Sequence, residues 1–324
     1  MGSSMPESRL LSVLINKRFT AARLLVSAVL LGFCALSAAN AEPQFRLIEG
    51  GQGVPLAIME MGEDESGTSI LFLHGYGFSS EFWAPQLQAE ALKSVRMVAL
   101  DLRGHGASGK PWQREQLIST QVWADDVAAA IAAAKLDRPV LVGWSYGGYV
   151  AMDYIRHYGT ENIAGLVLVA SPAGLAPRLH PSGDSLPGGD AGYAEAARQR
   201  DSLSLRENLA GNRYLAELMT GAELPASVLD GWTAQMMRVP TYFTQALRQG
   251  RSLENADIRD KLELPVAIAV GAKDASMAFD QLEGLADDLA AGEYWYFESA
   301  GHAVSTDAAD DFNSRLLEFA RSAR

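Results

Sequence analysis

The sequence predicts an α/β fold, a mostly parallel eight-stranded sheet flanked by helices and interrupted by one helical insertion. Three observations predict it. Short apolar runs alternate with helix-patterned stretches over most of the 324 residues. The alternation lapses between about residues 173 and 260, where helix formers take over. Chemistry-bearing residues stand directly behind several apolar runs, where loops leave the carboxyl ends of parallel strands. With 48% hydrophobic and 20% charged residues the chain can bury a substantial core and does not have a disordered composition.

The elements follow in order. Phe45 to Ile48 and Pro55 to Met61 flank Gly50-Gly51-Gln52-Gly53 and read as an antiparallel hairpin at a sheet edge. From Ile70 onward, apolar runs at 70–73, 95–100, 139–143, 165–170, 264–270 and 293–298 are separated by helical patterns such as Trp123 to Lys135 and Phe279 to Leu289. Uninterrupted apolar runs suit strands covered on both faces. After the sixth strand, Glu195-Ala196-Ala197-Arg198 and Leu215 to Met219 mark a helical cap over about 173–260, whose first part, Pro181 to Gly189, is turn-forming. Trp232, Tyr242 and Phe243 in this cap either line a pocket or pack helices together. There is no internal repeat and no linker long enough to separate domains.

The densest chemical signal is Pro139-Val140-Leu141-Val142-Gly143-Trp144-Ser145-Tyr146-Gly147-Gly148. An apolar strand ends in a serine with glycines two places to either side, the pattern of a nucleophile elbow. A helix begins at once, with Tyr149, Val150, Met152 and Tyr154 as its apolar or aromatic positions, so its first N–H groups face the Ser145 hydroxyl and any oxyanion formed there. A serine needs a base to take its proton and a carboxylate to orient that base. His302, in Ser299-Ala300-Gly301-His302-Ala303, follows the strand-like Glu293 to Phe297. Asp274 closes Leu264-Pro265-Val266-Ala267-Ile268-Ala269-Val270-Gly271-Ala272-Lys273-Asp274, just past a buried strand. The chain order is therefore Ser145, Asp274, His302.

The other histidines have structural readings. His157 lies within the helix after the elbow, and His180 sits among Pro and Gly in a loop. His105 belongs to the turn Asp101-Leu102-Arg103-Gly104-His105-Gly106-Ala107-Ser108, in which Arg103 and Asp101 are expected to pair with each other. His74 orders the loop that follows Ile70 to Leu73. That loop, Gly75-Tyr76-Gly77, approaches the nucleophile and offers one oxyanion donor, the N–H of Tyr76, with the N–H of Tyr146 as the second.

Taken together, Leu73-His74-Gly75-Tyr76-Gly77, the turn from Asp101 to Ser108, Gly143-Trp144-Ser145-Tyr146-Gly147-Gly148, Gly271-Ala272-Lys273-Asp274 and Gly301-His302 resemble the α/β-hydrolase superfamily, over about Phe45 to Ala320. Within it the likeness is to the small serine esterase, C–C hydrolase and cofactor-free haloperoxidase group. The resemblance implies an α/β-hydrolase fold whose cap shapes the substrate pocket. Haloalkane dehalogenases and epoxide hydrolases resembling this pattern carry aspartate at the elbow, so Ser145 disfavours both chemistries. No acid follows the strand Gly165 to Ala170, where some relatives place the triad carboxylate, which leaves Asp274.

The N-terminus reads as an address. Lys17, Arg18 and Arg23 precede the apolar run Leu24 to Leu36, and Ala39-Asn40-Ala41 offers a cleavage site, giving a signal peptide over 1–41 and a hydrolase domain over 42–324. Cys34 is the sole cysteine, so the processed chain would contain none and neither disulfides nor thiol chemistry is expected. Residues 1–41 hold four of 27 basic and one of 39 acidic residues, leaving 23 against 38 and a net charge of −15. Such a surface disfavours nucleic acid as a partner. No metal-site spacing and no phosphate loop is present, so no metal and no cofactor are expected.

The expectation is thus a periplasmic or secreted serine hydrolase acting on a small, largely uncharged ester or related acyl compound, without stable membrane insertion once the leader is removed. The rival readings are C–C or amide cleavage or perhydrolysis by the same residues, and a non-catalytic binding protein on this scaffold. Oligomeric state is not legible.

Overall fold

Eight strands form one sheet in the computed structural model, which describes residues 42–62, 67–175, 191–274 and 279–323. The leader expected over 1–41, the turn-forming stretch from Pro181 to Gly189 and His180 lie outside the described residues. In chain order the strands are β1 (Gln44–Glu49), β2 (Pro55–Met61), β3 (Ser69–Leu73), β4 (Arg96–Leu100), β5 (Val140–Trp144), β6 (Gly165–Val169), β7 (Val266–Gly271) and β8 (Gly292–Phe297). Their order across the sheet is β1-β2-β4-β3-β5-β6-β7-β8. The β1–β2 and β2–β4 pairings are antiparallel and all others parallel, so the hairpin forms the edge.

The longer helices are α1 (Thr120–Ala134), α2 (Tyr146–Tyr158), α3 (Ala191–Arg200), α4 (Leu205–Glu217), α5 (Ala226–Met237), α6 (Thr241–Gly250), α7 (Phe279–Asp287) and α8 (Ala309–Ser322). The central strands are buried along their whole length because alternate side chains enter two different cores. Leu71, Leu73, Leu141, Leu166 and Ile268 face one core, shared with Val127 of α1 and Val150 and Ile155 of α2. Ile70, Phe72, Val140, Val142 and Val167 face the other, closed by Trp83 and by Phe312, Leu316 and Phe319 of α8. Helices thus cover both faces. The described chain between β6 and β7 is helical, α3 to α6 followed by a 3-10 turn at Ala256–Lys261, and we refer to this insertion as the cap.

The turn after β4 departs from expectation. Arg103 pairs with Asp126 on α1 and not with Asp101: Nε to Oδ2 is 2.6 Å and Nη2 to Oδ1 is 2.7 Å, both side chains being buried. Arg103 also donates to the carbonyls of Gly51, Gln116 and Val122. The Asp101 carboxylate instead accepts the N–H groups of Ser80 and Ala107. A planar guanidinium needs a carboxylate facing it edge-on, which the neighbouring helix supplies and the tight turn does not.

Candidate active site

Every predicted site residue stands at the carboxyl end of a strand. Ser145 follows β5, with φ +51° and ψ −114°, a conformation that costs a non-glycine residue strain. The surroundings hold it there. Its N–H donates to the Val169 carbonyl at 2.8 Å, and its own carbonyl accepts from Ser171 Oγ at 2.7 Å and from the Gly148 N–H at 3.1 Å. The flanking glycines are sterically required. A Cβ on Gly143 would lie 2.7 Å from the Gly147 carbonyl, and one on Gly147 would lie 2.1 Å from the Leu73 carbonyl oxygen. The close approach at Gly147 brings the start of α2 against the end of β3 and so against the loop carrying Tyr76.

Tyr146 opens α2, where N–H groups are not used by the helix itself. Its ring meets that of Tyr76 edge-on at 6.0 Å, so the two residues expected to supply oxyanion donors are neighbours. Behind them, the Arg251 guanidinium lies 5.1 Å from the Tyr146 ring centroid and 4.5 Å from that of Trp123, ion-paired with buried Asp153. Burial pushes the Tyr146 phenol well up from its ordinary range. The Tyr76 loop is anchored by His74, whose Nδ1 donates to the Gly75 carbonyl at 2.8 Å while Nε2 accepts the Leu102 N–H at 3.0 Å. Burial lowers the His74 pKa to about 4 and, with His74 close by, that of His105 to about 3. Both stay neutral at pH 7 and act as fixed hydrogen-bonding groups. His157 is exposed on α2.

His302 and Asp274, from the loops after β8 and β7, are brought together. Nδ1 to Oδ2 is 2.7 Å, and both side chains are buried. Such a bond fixes the imidazole tautomer and the orientation of the ring. Trp144 joins this pair to the elbow, its indole N–H donating to the His302 carbonyl at 2.8 Å. The cap seats on the Tyr76 loop. Gln235 of α5 accepts from the N–H and hydroxyl of Ser79 at 3.1 and 3.0 Å, and Trp232 packs against Phe78 at 5.6 Å. Phe243 of α6 packs on His105 and Tyr242 stacks on Trp112, so both aromatics serve packing. A groove of about 390 Å³ bounded by Arg138, Thr160, Glu263 and Pro265 lies at the amino ends of β6 and β7, away from these residues. Among the described residues no group of three or more His, Cys, Asp or Glu could hold a metal ion, and no helix is long and apolar enough to cross a membrane.

Residues 70–315 match the alpha/beta hydrolase family. The chain belongs to that family. As an alpha/beta hydrolase it is 25% identical over 283 residues to the AB hydrolase superfamily protein YisY of Bacillus subtilis, covering 85% of this chain and 98% of that protein. It is 26% identical over 267 residues to the bifunctional esterase/perhydrolase DCH of Acinetobacter calcoaceticus, covering 78% and 91%. Among solved structures, a Burkholderia cenocepacia protein provisionally titled an aryl esterase superposes with a TM-score of 0.75 at 30% identity, over 86% of this chain and 99% of that one.

Sequence reasoning missed Ser171, which braces the Ser145 carbonyl, and the Trp144 bond to His302. Neither had a local signal, because Ser171 merely follows a strand and Trp144 reads as the strand's last apolar residue. The cap's polar anchor, Gln235, was also unmarked within a helical pattern.

Proposed function

We propose that this alpha/beta hydrolase is a serine esterase that cleaves small, largely uncharged esters through an acyl-enzyme. The observation that carries the reading is the buried 2.7 Å contact of His302 with Asp274, tied through Trp144 to the strained elbow at Ser145. Ser145 Oγ attacks the ester carbonyl as His302 Nε2 takes its proton, and the oxyanion is received by the N–H groups of Tyr76 and Tyr146. His302 then protonates the departing alcohol. Water, deprotonated by His302, attacks the acyl-enzyme, releasing the acid and restoring the Ser145 hydroxyl. Asp274 keeps the imidazolium oriented and compensates its charge.

The esterase names of the Acinetobacter relative and the Burkholderia neighbour support the ester substrate class. The Acinetobacter relative's second named activity favours a second reading, in which hydrogen peroxide replaces water at the acyl-enzyme and the product is a peracid. A fluorophosphonate probe that labels the wild-type protein and leaves Ser145→Ala unlabelled tests the nucleophile, and a panel of short esters with and without peroxide separates the two readings. The basic, apolar and small-residue sequence of 1–41 supports export, which makes the periplasm or exterior the proposed compartment.

A further inference from the structure

Both neighbours of His302 in the chain are held by hydrogen bonds that reach the cap. The Ala303 N–H donates to the Met219 carbonyl at 2.6 Å. On the other side, the Gly301 N–H donates to Asp307 Oδ2 at 2.8 Å. That same oxygen accepts the N–H of Gly221 at 2.7 Å, while Oδ1 accepts the Thr220 hydroxyl at 2.7 Å. The carboxylate of Asp307 is therefore a bridge between the histidine loop and the segment joining α4 to α5. Lys273, next to Asp274, completes the contact by donating to the Gly221 carbonyl at 3.1 Å.

The backbones are as close as backbones can be. A Cβ on Gly221 would lie 2.6 Å from Gly301 N, and one on Gly301 would lie 2.4 Å from Gly221 N. A third glycine, Gly271 at the end of β7, would place a Cβ 2.2 Å from the Gly301 carbonyl oxygen. Three segments thus converge without side chains between them: the cap, the loop of the base and the strand end leading to the acid. At such a junction small displacements are transmitted, because close-packed backbone has no slack to absorb them.

We propose that Asp307 is a positioning residue that ties Met219–Gly221 of the cap to the loop bearing His302, so that the base is in place only while the cap is seated. This rests on the reading of His302 as general base. A carboxylate bound to two backbone N–H groups from different segments makes charge-assisted bonds to both, and loss of the side chain releases both at once. A general base displaced by as little as an ångström loses much of its effect, so the loosening is felt in acylation even though Asp307 touches no reacting atom.

The test measures hydrogen exchange and serine labelling on the same full-length proteins. In Asp307→Ala, peptides spanning residues 215–224 and 298–306 should exchange faster together, and fluorophosphonate labelling of Ser145 should slow by about tenfold or more at equal folded fraction. Asp307→Asn retains an oxygen able to accept both N–H groups and should restore both readouts to within about threefold of wild type. Thr220→Val removes the hydroxyl's bond to Asp307 together with its local contacts to Ala222 and leaves both N–H bonds to the carboxylate in place. It should give the same ordering in milder form if Asp307→Ala does not fold. Faster exchange in the histidine loop with the cap unchanged, or wild-type labelling rates despite faster exchange in both, overturns the proposal. Labelling that persists in Ser145→Ala overturns the nucleophile reading instead, and the exchange data then decide the bridge alone.

Discussion

The indole N–H of Trp144 donates to the backbone carbonyl of His302 at 2.8 Å, linking the residue before the elbow serine to the histidine across 158 positions of sequence. The proposed nucleophile and base are thereby referenced to one strand end, so the backbone carrying each should stay in place when either side chain is removed. Ser145→Ala and His302→Ala should each abolish burst-phase acylation, the first with little change in the unfolding midpoint and the second with a lowered one, because it takes the imidazole away from the buried Asp274 carboxylate. Asp274→Asn should keep the fold and lose about 10⁴-fold in turnover, because the amide favours the wrong imidazole tautomer. Burst amplitudes with a chromogenic ester check all three, and near-wild-type turnover in any one removes that residue from the mechanism.

Backbone strain at Ser145 gives a prediction of opposite sign for stability and activity. With φ at +51°, an alanine there keeps the strain, whereas a glycine relieves it. Ser145→Gly should be as inactive as Ser145→Ala yet more stable than it by about 1 kcal/mol, read from urea midpoints. Equal midpoints would mean that the turn is not strained.

Acid stability should report the two buried histidines. Their native pKa values lie near 4 for His74 and 3 for His105, below the ordinary value of 6.5, so the unfolded chain binds protons that the native chain refuses. The stability they confer is complete above about pH 6.5 and is lost as pH falls towards 4, with a limiting slope of about 1.4 kcal/mol per pH unit for each histidine. In His105→Gln the fall between pH 6 and 5 should be shallower than in wild type, whatever the variant's stability at pH 7. Parallel curves would contradict the neutral, buried assignment.

Acyl length should be limited by the cap. Trp232 and Gln235 hold α5 on the loop that carries Tyr76, so the space beside the proposed oxyanion site is bounded by the insertion. Each methylene that fits should add at most about 0.8 kcal/mol, about fourfold in kcat/KM, and the first that collides should reverse the trend. A maximum among short p-nitrophenyl esters is expected, with no rate jump at an emulsion. Monotonic gain to long chains would mark a lipase.

The proposed export predicts a mature terminus. Intact mass of protein recovered from the periplasm should correspond to a chain beginning at Glu42, since Ala39 and Ala41 meet the small-residue requirement. A mass that retains 1–41, or a lipidated Cys34, would refute a soluble exported form.

The sheet was legible because its strands obey local rules. Pro55 to Met61 coincides with β2, and 139–143 differs from β5 by one residue, since an apolar run between turn residues has few other ways to fold. The placement of Ser145, Asp274 and His302 at strand ends was legible for a related reason, each standing directly or one short loop beyond such a run. What escaped depends on distant partners. Arg103 finds Asp126 on a neighbouring helix, and no periodicity encodes which of several acids will face a buried guanidinium. Asp307 was lost among the acids leading into α8, and only the fold reveals that its oxygens meet the cap.

None of the contacts that shape the elbow uses the serine hydroxyl. The turn is set by the Val169 carbonyl, by Ser171 and by the missing side chains of Gly143 and Gly147, all acting on main chain. Position 145 is therefore a mounting point whose geometry is independent of what is mounted. A carboxylate or thiol placed there would enter the same main-chain turn, so the side chain at this one position can be exchanged without altering the contacts that hold the elbow.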